Sequence, residues 1–312
     1  MSADPLVSVV IPAYNAEKTI RNALDSVLGQ TMSNLEVIVV DDASRDDTVH
    51  AVEAVDDPRV QLLRSRRNSG CSAARNMGVE HARGRWVAFL DANDEWVPER
   101  LERLLGAAGD ETDCFVADWI VVCVPDAEGR LTPLELPNRQ AQPLTEKFDF
   151  TDYLECGMDI TPIVPRAALS RHDIEFPEWG SGGEWAFLIA RLSASGVRGK
   201  LLHRVGYLYR VTGAHNSSTL RAIEEKLKVT EFLATDPEVP EVAKQRLRQG
   251  APGIRRRLVV AALRERKWRK FAYYARRNPI DLVWLPGSVL GFIWRRLRYL
   301  AASRQSSPGD GT

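Results

Sequence analysis

A chain of 312 residues, with 42 Lys or Arg balanced by 42 Asp or Glu, is long enough for one full α/β domain plus an appendage, and its core needs no staples. Cys71, Cys114, Cys123 and Cys156 form no CxxC pair and stand near no histidine cluster, which argues against a zinc site or disulfide framework and for a reducing compartment. The opening MSADPLV carries neither a basic nor a long apolar segment, so no signal peptide is expected and the protein is placed in the cytoplasm.

The zero net charge hides an asymmetry. Between Arg246 and Arg304 sixteen Lys or Arg face only Glu265 and Asp281, so the preceding residues carry the compensating negative excess. A basic tail attracts nucleic acid, anionic lipid or an anionic acceptor, and charge alone does not choose among them.

In chain order, Leu6 to Ile11 reads as a strand, and Asn15 suits the N-cap of a helix from about Glu17 to Leu28. Leu35 to Val40 is a second strand, followed by the loop DDASRDD and a helix over Thr48 to Val55. Val60 to Leu63 makes a third strand, and RRNSGCS leads into a helix over Ala73 to Ala82. Trp86 to Leu90 is an apolar run that stops at Asp91, Asn93, Asp94 and Glu95: a buried strand ending in oxygen ligands, or a polar turn capping the helix that begins near Pro98. Short apolar strands alternating with amphipathic helices predict a mainly parallel sheet covered on both faces. Such a sheet puts Tyr14, Asp41, Asp42, the Asn68 to Asn76 segment and Asp91 to Glu95 along one ligand-binding edge.

After the helix over Pro98 to Leu105, Cys114 to Val124 pairs with LTPLEL through the turn PDAEGR as an expected hairpin. The pattern weakens from Gln140 to Arg171. A helix over Gly183 to Ser195 and a strand near Leu201 to Tyr209 follow. Ile223 to Leu233 and Val242 to Leu247 read as helices broken by Pro237 and Pro240, and Ile254 to Arg276 as one long basic helix or two. Ile280 to Trp294 is apolar but too short to span a bilayer and is interrupted by Pro286 and Gly287; with Arg295, Arg296 and Arg298 after it, it suits either the membrane interface or packing on the catalytic domain.

The stretches VSVVIPAYNAEKTI, LEVIVVDDASRDDT and NSGCSAARNMGVEHARGRWVAFLDANDEW, with weaker matches at IVPRAAL and GGEWAFL, resemble an inverting family 2 glycosyltransferase of the bacterial cell-surface glycan type. The resemblance implies a GT-A fold, an α/β Rossmann-like mixed sheet with a C-terminal helical extension. Residues 1–220 would form the transferase domain, 1–112 binding the nucleotide and 113–220 the acceptor; 221–300 would be a basic helical extension with possible membrane contact, and 301–312 a disordered tail.

The same resemblance assigns tasks. Pro12, Ala13, Tyr14, Asp41, Asp42, Arg75, Asp91 and Ala92 would bind the nucleotide, Tyr14 by stacking on the base and Asp42 by accepting a base N–H; without the resemblance, Asp41 and Asp42 read as a helix-capping pair. Arg75 would face the diphosphate or brace Asp91, unless it is an ordinary surface arginine. Asp91, Asn93 and Asp94 would hold Mn²⁺ or Mg²⁺, with His215 as a further candidate ligand; Asn93 replaces the family's carboxylate with an uncharged oxygen, which lowers the expected affinity. Glu184 would be the catalytic base, or else a charge suited to a helix N-terminus. Trp179 and Trp185 would form apolar walls for the acceptor sugar, or belong to the core.

The expected activity is transfer of one sugar from a nucleotide-sugar, with a uridine diphosphate sugar as the natural donor, to a cell-surface glycan or lipid-linked saccharide. No Gln-x-x-Arg-Trp signature of processive synthases follows. No nucleic-acid partner is expected, and attachment would be peripheral, on the inner face of the membrane. The alternatives are a degenerate membrane-associated scaffold that binds nucleotide-sugar, and a sugar-phosphate nucleotidyltransferase.

Overall fold

The computed structural model describes residues 4–111, 113–127, 129–134, 143–156, 160–177, 183–211 and 220–277. Four strands, β1 (Val7–Ala13), β2 (Leu35–Asp41), β3 (Val60–Arg64) and β4 (Trp86–Phe89), run parallel in the order β3-β2-β1-β4. Val7 of β1 stands opposite both Leu35 and Trp86, so these strands begin level and all finish at one edge. Their connections carry α1 (Ile20–Leu28), α2 (Thr48–Glu53) and α3 (Cys71–His81).

Both faces of this half-sheet are buried, which is why its strands read as continuous apolar runs. Val10 packs with Ile38, Val40 and Ala74 on one face, while Val9, Ile11, Val37 and Val39 pack with Ile20, Leu24 and Val27 on the other. α3 lies very close to β1: a Cβ at Gly78 would sit 2.3 Å from Val10, so only glycine fits there.

The sheet continues past β4 through β9 (Ile160–Pro165), β6 (Cys114–Pro125), β10 (Arg198–Arg210) and β5 (Glu95–Trp96), making it mixed. β9 is antiparallel to β4 and to β6, and β10 is parallel to β6. The expected hairpin is present, with β7 (Leu131–Pro133) antiparallel to β6, and β8 (Thr145–Phe148) pairs with β10. β9 lies in the stretch where the sequence pattern weakened. Its Pro162 and Pro165 argue against a central strand. The fold tolerates them because β4 pairs only with Val164 and Pro165, leaving no ladder on that side for Pro162 to interrupt.

The remaining helices are α4 (Arg100–Ala108), α5 (Phe150–Cys156), α6 (Arg166–Arg171), α7 (Glu184–Ala194), α8 (Leu220–Leu233), α9 (Glu241–Arg264) and α10 (Trp268–Arg277). The chain divides into two compact units, Met1–Ala251 and Pro252–Thr312. In the first, Val229, Leu233, Val239, Ala243 and Leu247 join the core that holds Leu188 and Ile189 of α7. That unit therefore runs past residue 220, where the sequence reading ended the transferase domain, because α8 buries an apolar stripe in its core. The breaks expected at Pro237 and Pro240 fall between α8 and α9, yet α9 is one continuous helix with Pro252 inside it, despite the backbone bond that proline forfeits. In the second unit, Lys267 N–H donates to the Ala262 carbonyl at 2.9 Å, closing the turn into α10. Among the described residues no helix is long and apolar enough to cross a membrane, and the Ile280 to Trp294 segment lies outside them.

Candidate active site

The loops after β1 and β2 are stitched together at the strands' C-terminal edge. Asn15 is not a helix N-cap: it takes a left-handed backbone (φ 51°), its side-chain oxygen accepts the Arg45 N–H at 2.9 Å, and its own N–H donates to Ser44 Oγ at 3.0 Å. The Ala16 N–H donates to Thr48 Oγ1 at 2.7 Å, and α1 starts only at Ile20. Pro12 and Ala13 are buried within β1, the Ala13 carbonyl accepting the Asp42 N–H at 2.8 Å. Tyr14, next along, is 45% exposed and leaves a ring free at this edge.

Asp41 and Asp42 do not cap α2, whose N-cap is Asp47. Asp41 accepts the Ser44 N–H within its own turn, at 3.3 Å. The buried Asp42 reaches across to the next connection, where its two oxygens accept the Ser69 and Gly70 N–H groups at 2.8 and 2.7 Å. Gly70 is the N-cap of α3, so this carboxylate fixes where that helix begins.

From the second turn of α3, Arg75 points into the middle of the edge, and it is fully buried. Nη2 donates to Asp91 Oδ1 at 2.7 Å and Nη1 to Glu184 Oε1 at 3.1 Å. Its guanidinium lies 4.7 Å from the Trp185 ring centroid and 5.4 Å from that of Phe176, so aromatic faces fix its plane as the carboxylates fix its direction. Burial works against the charge, while Asp91 and Glu184 work for it, and the net is a pKa well above the ordinary arginine value. Nε is left buried without a hydrogen-bond partner among the described residues.

Glu184 is the first residue of α7. Gly183 before it adopts a left-handed backbone (φ 86°), which glycine enters at no steric cost and which turns the chain into the helix. Trp185 is not an open wall: it packs against Phe89 and Phe176, with ring centroids 5.7 and 5.8 Å away, beneath Arg75. Trp179 and His215 lie outside the described residues.

The acidic loop after β4 splits in two. The Asp91 side chain is one-third exposed, and Asn93 is half-buried with no side-chain partner among the described residues. Ala92 is buried. Asp94, expected among the metal ligands, is instead turned into the protein, accepting the Tyr207 hydroxyl at 2.8 Å and the Arg210 N–H at 2.8 Å. The Tyr207 oxygen also accepts the Asp91 N–H at 3.1 Å. Arg210 donates to the Asn93 carbonyl at 3.1 Å and to Glu95 Oε1 at 2.5 Å. Tyr207 and Arg210, on β10, thus hold all of the loop. Nothing in the sequence near residue 91 names them, since their role rests on a sheet pairing 116 positions away.

Among the described residues no three His, Cys, Asp or Glu side chains gather as a metal cage. Asp91 and Asn93 nevertheless suit a Mg²⁺- or Mn²⁺-type ion that takes one or two protein oxygens and completes its shell with substrate phosphates and water. Cys71, in the first turn of α3, belongs to the same cluster, a place that its spacing in the sequence does not signal; burial pushes its thiol up, against the pull of Arg75, with Asp91, Glu184 and Asp42 adding to the rise.

Comparison with known proteins agrees with this architecture. The chain is 34% identical over 228 residues to the succinoglycan biosynthesis protein ExoO of Rhizobium meliloti, a match spanning 70% of this chain and 64% of that protein. Over 99 residues it is 44% identical to the Escherichia coli UDP-Glc:alpha-D-GlcNAc-diphosphoundecaprenol beta-1,3-glucosyltransferase WfgD, covering 32% of this chain and 39% of that one. Among solved structures, Staphylococcus aureus TarS 1-349 in complex with UDP-GlcNAc superposes with a TM-score of 0.61 at 20% identity, over 82% of this chain and 71% of that one. The mannosyltransferase PcManGT of Pyrobaculum calidifontis, solved with GDP-Man and Mn²⁺, gives 0.57 at 20% identity over 91% and 88%. At such identity these two speak for the fold, which is GT-A. The profile of glycosyl transferase family 2 matches residues 8–171, more than half of the chain, and with the parallel edge that gathers Asp42, Arg75, Asp91 and Glu184 it establishes that this chain belongs to that family.

Proposed function

We propose that the protein transfers a single sugar, with inversion, from a uridine diphosphate sugar to a hydroxyl of a lipid-linked saccharide used in cell-surface polysaccharide synthesis. The observation that carries this reading is Arg75, which holds Asp91, on the donor side, and Glu184, on the acceptor side, to one guanidinium. The names of the relatives support the donor and acceptor classes: one acts on a diphosphoundecaprenol-linked sugar with UDP-Glc, another belongs to succinoglycan biosynthesis.

In this mechanism Tyr14 stacks on the base, and the segment clamped by Asp42 brings α3 and its positive N-terminal end toward the diphosphate. Glu184 uses one oxygen to accept from Arg75, and its Oε2, which has no partner among the described residues, takes the proton of the acceptor hydroxyl as that oxygen attacks the anomeric carbon. The nucleoside diphosphate leaves from the opposite face, so configuration inverts. Asp91 and Asn93 would hold a divalent ion, which would supply charge neutralisation of the leaving diphosphate. Arg75 keeps Asp91 and Glu184 from drifting during the turnover, since its rotamer is fixed by Trp185 and Phe176.

The protein would work at the inner face of the membrane, where a lipid-linked acceptor is presented, with the basic C-terminal residues as its attachment. Flotation with anionic vesicles that disappears at high salt is the expected result; no flotation at low salt would oppose it.

The decisive experiment is Glu184→Gln, assayed for transfer and, by calorimetry, for UDP binding with Mn²⁺, Mg²⁺ or chelator. Transfer is expected to fall by at least about a hundredfold with UDP affinity retained. Full activity would remove Glu184 from the role of base, and nucleotide binding without any transfer by the wild-type protein would favour a degenerate scaffold.

A further inference from the structure

At the opposite end of the strands from the donor edge, a cavity of about 410 Å³ opens between the starts of β1, β2 and β4 and the end of β9. Its lining includes Leu6, Asn34, Arg83, Arg85 and Arg166, with Asp4 as the one acid. β1 is seven residues long, so roughly 20 Å of strand separates this cavity from Tyr14.

β4 and β9 pair antiparallel with Trp86 opposite Pro165, and one step further the Arg166 N–H donates to the Arg85 carbonyl at 2.9 Å. Arg85, just before β4, and Arg166, the first residue of α6, are therefore joined through the backbone where the strand pair ends, both exposed, and neighbouring like charges repel. Neither guanidinium has an acidic partner among the described residues. Arg166 is aimed by a bond from Nε to the Gly84 carbonyl at 2.9 Å; among the described residues its two terminal nitrogens have no partner, and neither does the Arg85 side chain. The third, Arg83, is held by Glu36 through Nε and Nη2 at 2.9 and 2.6 Å, which leaves Nη1 uncommitted, and Asp4 lies near it.

Three guanidinium groups around one concavity, those of Arg83 and Arg166 held through Nε and that of Arg85 without a side-chain partner among the described residues, match the oxygens of a phosphate group better than they match each other. We propose that this cavity is a second, anion-binding site that takes a phosphate-bearing ligand between Arg85 and Arg166, separate from the donor edge. The phosphate comes either from a soluble phosphate or diphosphate, or from the headgroup of an anionic phospholipid. The proposal does not rest on the glycosyl-transfer reading.

The test titrates inorganic pyrophosphate, by calorimetry in metal-free buffer with UDP at saturation, into the wild-type chain, Arg85→Ser and Arg166→Ser, and in a second arm floats the same three proteins with phosphatidylglycerol vesicles. Pyrophosphate binding that weakens by about tenfold in each variant, the expected loss for a charge-assisted pair of bonds, supports the site with a soluble ligand. Flotation that weakens in both variants supports it with a lipid headgroup. Wild type and variants behaving alike in both arms overturns it. Thermal unfolding without anion guards against a folding artefact: Arg85→Ser removes one of two neighbouring charges and should have a Tm equal to or above wild type at low salt. A lower Tm would mean that Arg85 is already satisfied by the protein, and would count against the site. Because Arg85 is remote from Tyr14 and Asp91, a chain that fails to bind UDP still gives a clear answer here.

Discussion

Arg75 on α3 and Glu184 on α7 meet at 3.1 Å although 109 residues separate them. The contact is possible because α3 packs on β1 and α7 packs in the same core cluster, with Trp185, one residue after Glu184, supporting the guanidinium from below. An arginine so enclosed has no water to replace a lost carboxylate, and the carboxylates have no other cation within reach among the described residues.

Arg75→Met should therefore destabilise the fold by about 3 kcal/mol, since removing one member of a buried ion pair strands the others. It should also abolish transfer. Arg75→Lys keeps a charge without the fork and should recover part of the stability but little activity. Chemical denaturation midpoints together with a transfer assay check both; a stable, active Arg75→Met would show that the bridge is incidental.

Asp42 makes a second long-range clamp, on the Ser69 and Gly70 N–H groups. Asp42→Ala should cost about 1–2 kcal/mol by leaving these donors to water. UDP affinity should fall as well, because the start of α3 loosens. Asp42→Asn retains an acceptor and should lie between. Unchanged stability in Asp42→Ala would show that the clamp is not holding the loop.

The buried Asp94 carboxyl gives a pH signature. Burial, then repulsion from Asp91, pushes its pKa up to about 8. In the unfolded chain an aspartate titrates near about 4. Between those values the folded protein keeps a proton that the unfolded chain has released, so this group's contribution to stability is greatest at the low end and declines as pH rises through the window. The unfolding free energy of Asp94→Asn, measured by urea titration at several pH values, should decline less than that of wild type. Identical slopes would mean that Asp94 is ionised throughout.

Asn93 is the point at which this chain departs from an acidic metal motif. Asn93→Asp adds a charge to an otherwise sparse oxygen set and should tighten Mn²⁺ binding in the presence of UDP by on the order of tenfold. Calorimetric Mn²⁺ titration reads this directly. No change would place the ion away from residue 93.

Much of the fold was legible locally. The apolar runs at Val7–Ala13, Leu35–Asp41 and Trp86–Phe89 announce strands buried on both faces, and the polar residues that follow them announce the binding edge. β9 was hidden because ITPIVP contains two prolines, which local rules assign to loops. Asn15 misled in a similar way: it looks like a cap by type and position, while the partner that it takes, Arg45, becomes a neighbour only when two connections fold over the same edge.

The sequence by itself thus determined the family, the parallel half of the sheet and which loops carry the chemistry, because periodicity and local composition act over a few residues. Only the tertiary structure decided what each acidic side chain faces. Asp91 looks toward Arg75 and the open edge, whereas Asp94, three residues on, looks inward to Tyr207 and Arg210. That choice is set by β10, more than a hundred residues downstream, through hydrogen bonds that a buried carboxylate must find and that no local pattern specifies.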